Sequence, residues 1–154
     1  MKYIKIYEKY INDDEYDDVL NNIINNHRFD YYIFDTFIKD ANSEFLLNAA
    51  FFKNYDVCEY LIDYNNIDLN KVNNEGETTL NMLAFQYGKN YDLNATVLHL
   101  IYKLIDNGAD WNIIDKTDSY FLDWSNDLED ILKKKYPEKY KNYIIKRKAN
   151  KFNL

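Results

Sequence analysis

Apolar residues recur along this chain at the spacing of a helical face. Between Tyr55 and Tyr64, the positions Val57, Tyr60, Leu61 and Tyr64 fall at i, i+3, i+4 and i+7, which predicts a helix with one buried side. Asp56 stands in its first turn, where the helix dipole favours an acid. A second helix is predicted over Asn94 to Asp106, with Val97, Ile101, Leu104 and Ile105 as its apolar stripe. Asn94 reads as its N-cap and Gly108 as the C′ residue that stops it. A third is predicted over Asp14 to Asn26, where Tyr16, Val19, Leu20, Ile23 and Ile24 share a side after an acidic opening.

The periodic segments also repeat one another. FLLNAAFFKNYDVCEYLIDYNNIDLN, Phe45 to Asn70, aligns with TLNMLAFQYG, Thr79 to Gly88, followed by IYKLIDNGADWN, Ile101 to Asn112. Leu46 pairs with Leu80, Ala49 and Ala50 with Leu83 and Ala84, Leu61 and Ile62 with Leu104 and Ile105, and Asp68 to Asn70 with Asp110 to Asn112. Leu46 and Leu80 are 34 residues apart, whereas Leu80 and Leu122 are 42 apart, so an insertion is placed at GKNYDLN, Gly88 to Asn94. Asp115 with Tyr120, Phe121 and Leu122 opens a shorter third unit, for which Leu128, Ile131 and Leu132 supply a second helix. Residues 15–30, EYDDVLNNIINNHRFD, echo Tyr55 to Asp68 as a degenerate first unit.

At GETTLNMLA, Gly76 to Ala84, and LIDNGADWN, Leu104 to Asn112, the chain resembles the ankyrin-repeat family. That family's unit opens one short helix with TPLHxAA, closes a second with LLxxGADxN, and recurs about every 33 residues. The pattern is incomplete: Pro is missing from each TPLH position, Asp118 stands at a turn Gly, and Asn65-Asn66 replaces the Gly before Ile67-Asp68. The resemblance implies an all-α solenoid of stacked helix-turn-helix units, with capping helices at both ends. Its parts would be a degenerate unit in 1–44, repeats in 45–72 and 73–114, and an abbreviated repeat with a basic cap in 115–154, together forming one domain. Such pairs cannot bury their apolar faces alone, so neighbours must stack.

The resemblance further implies that the turn before each repeat and the first helix face a partner. Position by position, the turns give Asp40, Ala41 and Ser43, then Asn74, Glu75 and Glu77, then Lys116, Thr117 and Ser119. The helices add Phe51, Phe52, Phe85 and Gln86. A surface of acids and phenyl rings suits a protein that binds a basic partner protein, either as an inhibitor of the immunity or antitoxin kind or as a viral or bacterial adaptor.

Composition supports this picture. Three Gly and one Pro among 154 residues are few for a many-turned β fold. No stretch of about 18 apolar residues occurs and the first residues mix charge with apolarity, so neither a spanning helix nor a secretory signal is expected. The expected location is the cytoplasm, that of the host if the gene is viral, and the expected state is a monomer. Residues 1–130 hold 10 Lys/Arg and 25 Asp/Glu, a net −15, whereas residues 131–154 hold 9 and 1, a net +8. An acidic body repels phosphates and anionic lipid.

The basic segment ILKKKYPEKYKNYIIKRKANKF, Ile131 to Phe152, interleaves Tyr136, Tyr140 and Tyr143 with its lysines. Nucleic-acid association through this segment is therefore the alternative function. Against it, Pro137 suits the first turn of a last helix whose Tyr140, Tyr143, Ile144 and Arg147 share a side, as a solenoid cap requires.

Catalytic chemistry finds little footing. His27 and His99 lack a paired ligand spacing, and Cys58, the one cysteine, stands between Asp56 and Glu59, which oppose a thiolate. DDEYDD, Asp13 to Asp18, lacks the alternating ligands and turn Gly of a calcium loop. No enzyme activity, metal or cofactor is expected.

Overall fold

In a computed structural model of the chain, the described residues are 43–63, 67–87, 94–113, 119, 122 and 125–151. They form six helices: α1 (Ser43–Phe51), α2 (Tyr55–Ile62), α3 (Thr79–Tyr87), α4 (Asn94–Asp106), α5 (Asn126–Lys135) and α6 (Pro137–Lys151). Among the described residues there is no strand, only an isolated antiparallel bridge between Val72 and Thr78. None of their helices is long and apolar enough to cross a membrane. The helix predicted over Asp14 to Asn26 lies outside the described residues. The chain divides into two compact units, Met1–Asp68 and Leu69–Leu154.

In the first unit α1 packs on α2. Phe45, Leu46, Leu47, Ala49 and Ala50 of α1 are buried, as are Val57, Cys58, Leu61 and Ile62 of α2. Three residues, Phe52, Lys53 and Asn54, join these helices. Lys53 takes a left-handed conformation, φ 60°; its N–H donates to the Ala50 carbonyl at 3.1 Å and that of Asn54 to the Ala49 carbonyl at 2.9 Å. These are the two bonds of a Schellman end, here made without glycine. Asn54 then starts α2, its side-chain oxygen accepting from the Val57 N–H at 3.4 Å. One buried Asn thus satisfies an orphan carbonyl behind it and an orphan amide ahead.

In the second unit α3 packs on α4 and α5 on α6. Leu80, Leu83, Ala84, Leu104 and Ile105, the counterparts of Leu46, Ala49, Ala50, Leu61 and Ile62 in the sequence alignment, are all buried, as those five are. Helix α4 ends as its glycine predicts. Gly108 has φ 98°, its N–H donates to the Ile105 carbonyl at 3.3 Å, and the Ala109 N–H donates to that of Leu104 at 3.0 Å.

Ser125 caps α5 by accepting from the Leu128 N–H at 3.3 Å, with Asp127 and Glu129 in the first turn and three lysines in the last. Both ends therefore complement the dipole. Tyr136 closes α5 by donating its N–H to the Leu132 carbonyl at 2.8 Å and begins α6 by accepting from the Tyr140 N–H at 2.9 Å. Pro137 occupies the first turn, where its missing N–H costs no intrahelical bond.

Candidate functional site

Ahead of α3, residues 72–78 fold back as a tight hairpin whose stiffness comes from one side chain. The Asn73 side-chain oxygen accepts from the N–H groups of Glu75 and Glu77, both at 2.9 Å, and its amide donates to the Glu77 carboxylate at 2.9 Å. The Gly76 N–H donates to the Asn73 carbonyl at 3.0 Å, and Gly76 adopts φ 80°, which a side chain would resist. Asn74 and Glu75 consequently stand exposed at a fixed tip. Thr78 and Asn81 clamp the start of α3 reciprocally: the Asn81 N–H donates to the Thr78 hydroxyl at 3.2 Å, and the Thr78 N–H donates to the Asn81 side-chain oxygen at 3.2 Å. The Thr78 hydroxyl also donates to that oxygen. This is a capping box with Asn in the third position.

The loop after α4 is tied to the loop before the hairpin. The Asp110 N–H donates to the Asn70 side-chain oxygen at 2.7 Å, and the Asp110 carboxylate accepts from the Asn112 N–H at 2.9 Å. In the first unit, the Asp68 N–H donates to the Ser43 hydroxyl at 2.8 Å, tying the residues after α2 to the start of α1.

The predicted contact residues divide into four groups. Asn74, Glu75, Phe51, Phe52 and Phe85 are exposed, the phenyl rings by 65%, 42% and 38% respectively. Phe51 and Phe52 meet edge to face with ring centres 5.1 Å apart. Ser43, Glu77 and Ser119 are half-buried; Ser43 and Glu77 make the bonds given above. Asp40, Ala41, Lys116 and Thr117 lie outside the described residues. Gln86 departs from expectation, being only 8% exposed. It follows Leu83 by three positions and Met82 by four, which puts it on their buried side, and Phe85 is the one exposed residue of α3.

Val72, 41% exposed at the hairpin base, was not among the predicted contacts. Its signal was weak, since one valine beside polar residues sets no period.

The basic segment turns its rings inward. Tyr143 is buried, and its ring lies 6.1 Å from that of Trp111, which also meets Tyr136 edge to face at 6.0 Å. The Tyr140 hydroxyl donates to the Glu129 carboxylate at 2.6 Å. That bond, followed by burial, pushes the Tyr140 phenol up to about 12. Lys135 stands 4.1 Å over the Tyr102 ring, and the Lys139 ammonium donates to the Ile105 carbonyl at 2.7 Å, at the negative end of α4.

Cys58 is fully buried, and burial pushes its thiol far up, so it holds its proton at neutral pH. His99 is exposed on α4. Among the described residues, no three His, Cys, Asp or Glu side chains are grouped to hold a metal ion. Comparison of the chain with protein-family models, with curated proteins and with solved structures found no match.

Proposed function

We propose that the chain is a protein-interaction module of the ankyrin-repeat kind, an acidic inhibitor or adaptor that recognises a basic partner protein through its hairpin tip and first-helix ends. The observation that carries this is the rigid Asn73-centred hairpin, which holds Asn74 and Glu75 out ahead of a helix whose one exposed residue is Phe85. A tip fixed before binding loses little conformational entropy on binding. Exposed phenyl rings supply large apolar area with few rotamers to freeze.

The repeat architecture has its own support. Thr78 and Asn81 fill the Thr and His positions of the TPLH motif and bond to each other. Asn70 and Asp110, which belong to successive units of the sequence repeat, are joined by a hydrogen bond. Helix α6, with its tyrosine rings inward, suits a cap on the helices beside it.

The test is affinity capture from the native cell with the wild-type chain beside Glu75→Lys. Charge reversal at an exposed tip leaves the Asn73 bonds intact, because these use the Glu75 backbone only. The expected result is a basic protein captured by the wild type and lost or much reduced with the variant. Equal recovery by both, or recovery of nucleic acid in place of protein, would contradict the reading.

A further inference from the structure

Helix α6 has an outward face that the cap does not use. Its inward side is occupied by buried Tyr143 and by half-buried Tyr140, Ile144 and Arg147, the last donating to the Tyr143 hydroxyl at 3.2 Å. On the opposite side Lys141, Ile145 and Lys148 follow at i, i+4 and i+7, with Ile145 57% exposed. The lysines of this region fall into two classes. Lys133 and Lys135 lie over tyrosine rings and Lys139 holds the Ile105 carbonyl. Lys134, Lys141, Lys146 and Lys148 are exposed and, among the described residues, have no ion pair or hydrogen bond. A helix face of exposed lysines suits an acidic helix.

Such a surface exists on the chain itself. Helix α2 and its C-capping residue expose Asp56, Glu59 and Asp63 at i, i+3 and i+7, within a body of net charge −15. Lys141 and Lys148 are seven residues apart, as are Asp56 and Asp63, or about 10.5 Å along either helix. Two helices laid together can therefore set both lysines against both carboxylates.

We infer that the Lys141–Ile145–Lys148 face of α6 docks on the acidic α2 face of a second copy of this chain, giving a weak head-to-tail association. The contact uses two different faces, so it propagates beyond a dimer unless it closes into a ring. Nucleic acid suits this face less well, because the tyrosines that could stack on bases lie on the inward side of α6.

Mass is measured by sedimentation equilibrium over a range of protein concentrations. In about 0.1 M salt, where the screening length is about 10 Å, the average mass should rise with concentration. In about 1 M salt, where that length is about 3 Å, it should fall to the monomer. Lys141→Glu with Lys148→Glu should stay monomeric, as should Asp56→Lys with Asp63→Lys, while a mixture of the two variants should associate again because each presents the complement of the other. All four positions are exposed, and an unchanged helical circular dichroism signal checks folding. A wild type that stays monomeric at low salt, association that survives either reversal, or a mixture that does not associate would overturn the inference. Retention of RNA or of anionic vesicles by a monomeric wild type would overturn it in favour of that ligand.

Discussion

At Lys53 the chain makes a left-handed turn with a residue that carries a Cβ, a conformation that costs roughly 1–2 kcal/mol in an L-residue. The two Schellman bonds at this turn hold it in place. Lys53→Gly should therefore raise stability by about 0.5–1 kcal/mol in urea unfolding, the gain being reduced by the greater freedom of glycine in the unfolded chain. Gly108 tests the same physics in reverse. A Cβ there would meet nothing within 4 Å, so Gly108→Ala should lose about 1–2 kcal/mol through φ 98° alone.

Tyr140 adds a dependence on pH. Its phenol is raised from 10.0 to about 12 in the folded chain, so between those values the unfolded chain sheds the proton first. The stabilisation from this group is thus complete below about pH 10 and fades as pH climbs towards 12. Tyr140→Phe should cost about 0.5–1.5 kcal/mol at neutral pH and remove this part of the alkaline loss, as followed by unfolding at several pH values. At this scale the sequence announced Gly108 and Pro137, whose backbones advertise their roles. It did not announce the Lys53 turn or the Tyr140 bond to Glu129, because neither residue type is specific to what it does there.

Among the described residues, two helices were legible from the strict period of their apolar residues. Helix α4 spans the residues its stripe predicts, and α2 begins where predicted but ends at Ile62, two residues before Tyr64. The Asp63 N–H donates back to the Tyr60 carbonyl at 3.3 Å, which tightens the last turn and closes the helix early. Helix α3 was found through the repeat and not through its period, since it is buried on nearly every side and has no polar face to contrast. That same burial removed Gln86 from the expected surface.

Leu104 lies fully buried in α4, and Leu104→Ala should destabilise the protein by roughly 2–5 kcal/mol in chemical denaturation. A loss below about 0.5 kcal/mol would mean that the α3–α4 pair is not held by its apolar side. The joint between α1 and α2 depends instead on polar bonds: Asn54→Ala should cost about 1–2 kcal/mol by leaving the Val57 amide without its cap.

For the molecule as a whole, the helical class was legible from scarce Gly and Pro and from the apolar period. The alignment of Phe45–Asn70 with the later segments supplied the helix pairs α1–α2 and α3–α4. Hidden from the sequence was the long-range hydrogen bond from Asp110 to Asn70, since residues 40 apart give no local sign of meeting. The engagement of the tail's lysines and tyrosines was foreshadowed only by their shared helical side. What an exposed tip and phenyl rings would bind is a matter of surface chemistry, which the fold does not specify.

The most direct measurement is partner capture by a chain in which Phe51, Phe52 and Phe85 are all replaced by Ser, with helical content and melting followed on the same sample. Truncating a true hot spot weakens binding by about 2 kcal/mol or more, so three together should abolish capture. All three rings are exposed, so the fold should survive. Loss of the basic partner from a variant with wild-type helicity and melting is the predicted result; full capture by that folded variant would contradict the account.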